Sequence, residues 1–141
     1  MTPKPIYVTN NQDDIDPIPI DIEAFALDLA HHLGMSIVVI DITLLDSPTI
    51  RDMNARFFNN DVTTDTITFN LESPESIVGD IYLCPHTIQA NAHAYNTDIA
   101  TEFKRVIIHS FLHLLGHRDT TADEFESMKA YEDQLLDQLS S

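Results

Sequence analysis

The chain has a single cysteine, Cys84, so no disulfide can form within it. That excludes a small scaffold stapled by bridges and makes a reducing cytoplasm the expected setting. Basic residues are also scarce: 7 Lys and Arg stand against 23 Asp and Glu, a formal net charge of −16. Broad, non-specific binding to nucleic acid needs many cations to displace phosphate counterions, so a protein that coats RNA or DNA is excluded. A local positive site is not, because charges act over about 10 Å and a bound divalent ion adds charge where it sits. No apolar run is long enough to cross a bilayer; 37–40 and 106–108 are core-sized. The first residues lack the charged region and apolar stretch of a signal peptide, and no membrane partner is expected. There is no repeat, low-complexity tract or Gly/Ser linker, so residues 1–141 are read as one domain.

What is present is a succession of short periodic segments. Residues 10–19 read as a loop, after an edge strand over 6–8. Ile22, Phe25, Ala26, Leu29 and Leu33 recur at helical spacing, and Gly34 supplies a left-handed stop. The β-branched run 36–43 predicts a buried strand, and Pro48 opens a helix to about Phe57. Further strands are expected over 64–69 and 80–84, with helices over 86–94 and 102–115. Thr121 and Glu124 form a capping box for a last helix, with Phe125, Met128, Leu135 and Leu139 facing inward. The expected fold is α+β: a small mixed sheet of about four strands covered by about five helices.

The chemistry concentrates between His109 and Asp119. Histidines four apart on a helix point the same way, one turn above the other. Gly116 can end that helix and turn the chain so that Asp119 comes back toward His109 and His113. Two imidazoles and one carboxylate leave a fourth position open, the arrangement of a catalytic zinc ion rather than a closed structural one. Nitrogen donors suit zinc better than magnesium, which prefers oxygen; one Zn2+ per chain is expected. His117 is the alternative third ligand if the helix continues through Gly116. Val106, Ile107, Ile108, Phe111, Leu112, Leu114 and Leu115 predict a helix buried on nearly every side. Ser110 follows the first histidine where a zinc peptidase of the H-E-x-x-H type has its glutamate base, so an ordinary peptidase is excluded. Asp80 reads either as an acceptor orienting a histidine or as an ordinary strand-start aspartate. Thr64, Thr66 and Thr68 read as the wet face of a strand, Glu102 and Glu124 as solvated helix charges, and Cys84 as a small buried side chain. His31, His32, His86 and His93 read as surface residues.

The pattern resembles the bacterial YbeY family of rRNA maturation factors, also described as single-strand-specific endoribonucleases. Its signature H-G-x-L-H-L-x-G-Y-D-H is met at His109, Leu112, His113, Leu114 and Gly116. Ser110, His117, Arg118 and Asp119 stand at its glycine, tyrosine, aspartate and third histidine. Met53-Asn54, the segment 61–69, Gly79-Asp80-Ile81 and the Glu124, Phe125, Glu126, Met128 set are similar to further family motifs, so the resemblance spans about residues 35–139. It implies a zincin-like metal helix and a zinc-dependent endoribonuclease acting in rRNA maturation and ribosome quality control. An rRNA precursor and ribosomal or ribosome-associated proteins are the implied partners, with no DNA. The family's arginine, placed to meet phosphate, corresponds to Phe58 here. Arg56 is about 200° away around a helix, whereas Arg118 adjoins Asp119; these two arginines are the catalytic candidates. The alternative is a ribosome-associated assembly factor whose zinc is mainly structural.

Overall fold

The computed structural model describes residues 5–12, 18–71 and 76–139; part of the loop expected over 10–19 lies outside them. Nine elements follow in the order β1 (Ile6–Asn10), α1 (Ile22–Leu33), β2 (Ile37–Leu44), α2 (Ser47–Phe58), β3 (Thr66–Asn70), β4 (Ile77–Leu83), α3 (Pro85–Ala94), α4 (Ile99–Leu114) and α5 (Ala122–Leu139). This is the expected α+β architecture of five helices on a four-stranded mixed sheet.

The helix ends are written in local chemistry. Asp21, Asp46 and Asp98 cap α1, α2 and α4 by accepting from backbone N–H groups three residues on, which satisfies donors that lack a partner in the first turn. Gly34 closes α1 at φ 64, in the left-handed region where a Cβ is costly. Thr121 and Glu124 form the reciprocal capping box of α5, each side chain accepting from the other's N–H at 3.1 Å.

The strand order is β1-β2-β4-β3, with β1, β2 and β4 parallel and β3 antiparallel on β4. Side chains alternate across such a sheet, and β4 shows it: Ile77, Ile81 and Leu83 join the main core under α1, α4 and α5, while Tyr82 meets the α2 side with Ile50, Met53, Ile67 and Phe69. Gly79 lies on the core face because Leu114 presses on it; a Cβ there would stand 2.9 Å from Leu114 Cδ2. Thr66 and Thr68 also face α4, which corrects the wet face expected for them: both are half-buried, and the Thr66 hydroxyl meets Ser110 Oγ at 3.0 Å. The inward face expected of the last helix needs one correction too. Met128 and Leu135 are buried, but Phe125 is exposed, because it sits in the first turn before α5 meets the core.

Helix α4 is the central element. Phe103, Ile107, Ile108, Phe111, Leu112 and Leu114 are each essentially inaccessible to solvent, worth about 1.5–3 kcal/mol apiece in burial. The helix is not buried all round: Arg105, His109 and His113, spaced by four, form a half-exposed stripe along it. Truncating Phe103 to Ala leaves a cavity in this core and should cost about 3–5 kcal/mol, read as a lower urea midpoint with an unchanged denaturant slope.

Candidate metal centre

His109 and His113 meet on the exposed stripe of α4, their Nε2 atoms 3.0 Å apart. The helix ends at Leu115, and Gly116 takes φ 94, a left-handed conformation that turns the chain out of the helix. That turn brings Asp119 Oδ2 to 3.5 Å from His109 Nε2 and 3.6 Å from His113 Nε2. The expected pair of histidines and the aspartate beyond the turn are therefore brought together. His117 is not brought to them: its ring packs edge-on against Tyr131 at 5.7 Å.

The remaining ring nitrogens set the proton positions. His109 Nδ1 donates to Glu132 Oε2 at 2.6 Å, and His113 Nδ1 donates to the His117 carbonyl at 3.1 Å. With both Nδ1 atoms carrying hydrogen, the two neutral rings aim Nε2 lone pairs at one another. Two lone pairs at 3.0 Å repel unless a proton or cation lies between them. Ligands arranged tetrahedrally at zinc distances of ~2.0–2.2 Å are spaced by about 3.3–3.6 Å; the two separations to Asp119, 3.5 and 3.6 Å, match this, and the Nε2–Nε2 separation of 3.0 Å is shorter. The donor set fits a zinc ion, with both imidazoles oriented by outer acceptors as metal-bound histidines are.

Electrostatics splits the two rings. Burial, the largest single influence on His109, lowers its pKa, but the hydrogen bond and charge of Glu132, aided by Asp119 and Asp65, outweigh it and leave it above 6.5. Burial and the neighbouring His109 push His113 below 6.5, against the pull of Asp119. A proton entering the pair is thus held on His109, between Glu132 and Asp119.

Several groups around the centre differ from expectation. Glu132, not Asp80, orients a histidine; Asp80 sits in β4 beside Asp41 of β2, and burial and that charge raise its pKa. Glu102, expected to be solvated, is buried, whereas Glu124 is half-buried and caps α5. Arg105 lies one turn before His109 and bonds Glu132 at 3.3 Å and Asp133 at 2.6 Å. Both Glu132 and Arg105 had a signal in the sequence. Glu132 stands on the stripe of Met128, Leu135 and Leu139, where a carboxylate needs a partner, and Arg105 continues the His109, His113 spacing backwards. The structure does not bring Arg56 to the centre. It lies on α2, across the sheet from α4, and pairs with Asp52 at 3.1 Å. Phe58, at the arginine position of the resemblance, stacks on Phe69 at 5.8 Å. Arg118 is exposed at the turn before Asp119 and lowers the Glu124 pKa as a minor influence behind Thr120.

The sequence profile of the endoribonuclease YbeY family matches residues 8–140. The chain belongs to this family. Among its relatives, endoribonuclease YbeY of Chlamydia pneumoniae is 29% identical over 93% of this chain and 88% of that protein. The Chlorobium luteolum member is 39% identical over 63% of this chain and 65% of that protein, and the Chlorobium limicola member is 33% identical over 84% and 83%. A Thermotoga maritima protein of known solution structure superposes with a TM-score of 0.58 at 25% identity, over 94% of this chain and 90% of that one.

Two predictions follow from the centre's geometry. Asp119→Ala should weaken zinc binding far more than His117→Ala; competition against a chromophoric chelator measures both, and a larger loss at His117 would overturn the assignment. Glu132→Gln should weaken zinc by about 10–100-fold. Because Glu132 raises the His109 pKa, protons compete with the metal from above pH 6.5 downward, and zinc affinity falls as the pH drops through that range. The variant's loss of affinity should begin at lower pH than the parent's.

Proposed function

We propose that this chain is a zinc-dependent, single-strand-specific endoribonuclease of rRNA maturation and ribosome quality control, working in the cytoplasm as one domain. The observation that carries the reading is the convergence of His109 Nε2, His113 Nε2 and Asp119 Oδ2, in a family named for endoribonuclease activity. His109, His113 and Asp119 would hold one ion. Zinc in such a site supplies a Lewis acid for a phosphate oxygen and lowers the pKa of its water. The protein's own part is to keep His109 and His113 in the tautomer that presents Nε2, through Glu132 and the His117 carbonyl. Arg118, exposed and adjacent to Asp119 in sequence, would be the cation that meets a phosphate; Arg56, across the sheet, is the lesser candidate. Ser110, not a glutamate, follows His109, so the lowered pKa of a metal-bound water would have to carry much of the work of a general base.

The second reading, an assembly factor with a mainly structural zinc that docks ribosomal proteins, draws on the net charge of −16 and on Arg105 being tied to Glu132 and Asp133. Incubating zinc-loaded protein with single-stranded RNA, with and without chelator, separates the two. The endoribonuclease reading expects internal cleavage that chelation and His113→Ala abolish. It also expects a log affinity against log salt slope of about −1.4 to −2.1, the value for two or three phosphates neutralised on a single strand. Arg118→Ala should reduce cleavage more than Arg56→Ala. Metal-loaded protein that never cleaves and binds RNA without salt dependence would favour the assembly factor.

A further inference from the structure

A cleft of about 580 Å³ opens beside His109. Its floor is α4, with Glu102, Arg105 and His109; Tyr95 stands on the α3 side and Phe125 on the α5 side. We propose that this cleft is a nucleobase pocket, in which Glu102 accepts hydrogen bonds from the edge of an unpaired base whose ring lies on Tyr95 or Phe125. The inference deepens the endoribonuclease reading and rests on RNA being the substrate.

Glu102 carries the argument. Four polar or charged side chains are buried among the described residues: Asn54, Glu102, Ser110 and Glu132. Asn54 bonds the Val62 carbonyl, Ser110 the Val106 carbonyl, and Glu132 bonds His109 and Arg105. Glu102 is only 5% exposed as a residue, and its carboxyl accepts no hydrogen bond from a described residue and opens on the cleft. A largely buried acid with no protein donor, its oxygens turned to a cleft, gives a ligand that brings donors a place to put them. Burial raises the Glu102 pKa, and the charges of Asp65 and Glu132 add to this while Arg105 opposes it.

The same surroundings decide which donors. Asp65, Glu102 and Glu132 outnumber the two cations of the cleft, Lys129 and Arg105, and Arg105 already bonds Glu132 and Asp133, so phosphate is disfavoured. A second metal is disfavoured, because His109, His113 and Asp119 are the sole convergent group of three metal-binding side chains among the described residues. The aromatic rings suit a base: Tyr95 is 71% and Phe125 55% exposed, a wasteful placement for packing but the right one for stacking. Guanine fits best. Its N1–H and amino N–H lie side by side and match both oxygens of a carboxylate. Uracil fits worst, since its one N–H is flanked by carbonyls that repel the acid. Adenine and cytosine offer an amino group beside an acceptor nitrogen and fall between.

Titrating the zinc-loaded full chain with guanosine 5′-monophosphate and uridine 5′-monophosphate tests this, since the shared phosphate cancels any contact with the metal. The guanosine nucleotide should bind about tenfold more tightly, within the range of a bidentate contact to a base. Glu102→Gln with an unchanged melting temperature should erase that preference. Tyr95→Ala/Phe125→Ala, at exposed positions, should weaken both nucleotides by about five- to a hundredfold, as loss of a stacking platform does. Equal affinities in the parent protein, a preference that survives Glu102→Gln, or full binding by the aromatic double variant would each overturn the pocket. RNA cleavage together with equal nucleotide affinities would sink the pocket and leave the endoribonuclease reading standing. A guanine preference without cleavage would do the reverse.

Discussion

The hydrogen bond from His109 Nδ1 to Glu132 joins the two helices that make the centre, and both the packing and the chemistry of this end of the molecule depend on it. Glu132 is buried on the face of α5 that meets α4. A carboxylate taken out of water is tolerated only when it is paired and hydrogen-bonded, and here it is paired twice, with His109 and with Arg105. The bond that makes its burial affordable also places hydrogen on Nδ1 and so leaves Nε2 free for a metal. That contact ties the histidines of α4 to α5, which also docks through Met128, Leu135 and Leu136 in the core.

The helix that carries the ligands is also the helix that carries the core. Leu112 and Phe111 are inaccessible to solvent while His113 between them and the turn stays half-exposed, so the imidazoles are held by packing on one side and by acceptors on the other. Ser110, where the family resemblance has glycine, fills the gap to β3 and is held by the Val106 carbonyl and the Thr66 hydroxyl. Rigid support of this kind keeps the two Nε2 atoms and the Asp119 carboxylate converged without a closed ligand cage.

Charge then sorts what approaches. A surface carrying −16 repels an RNA strand beyond a Debye length and rewards only contacts made at close range. At the centre, two neutral imidazoles and one carboxylate would leave a divalent ion with net positive charge, and Arg118 lies in the exposed turn before Asp119. The adjoining cleft carries three acids against Arg105 and Lys129 and is flanked by Tyr95 and Phe125.

Much of this was legible in order along the chain. Capping aspartates, Gly34 and the Thr121/Glu124 box mark element ends because their effects are local, and the His109, His113, Gly116, Asp119 spacing encodes a helix, a stop and a return within a few residues. The strands were legible too, but not their faces: the threonines of β3 became interior only when α4 packed across them. What tertiary structure alone decided were the pairings between elements distant in sequence. Glu132 as the partner of His109 lies 23 residues away, and Glu102, whose spacing marks it as one more helix charge, became a buried acid facing a cleft. The sequence by itself determined the elements, the family and the convergent group of His109, His113 and Asp119, because periodicity, capping and side-chain spacing act within a turn or two. Which acid orients a ligand, which arginine stands near it and which carboxylate is left without donors were decided by the packing of α3, α4 and α5, since burial and pairing are properties of the assembled layers.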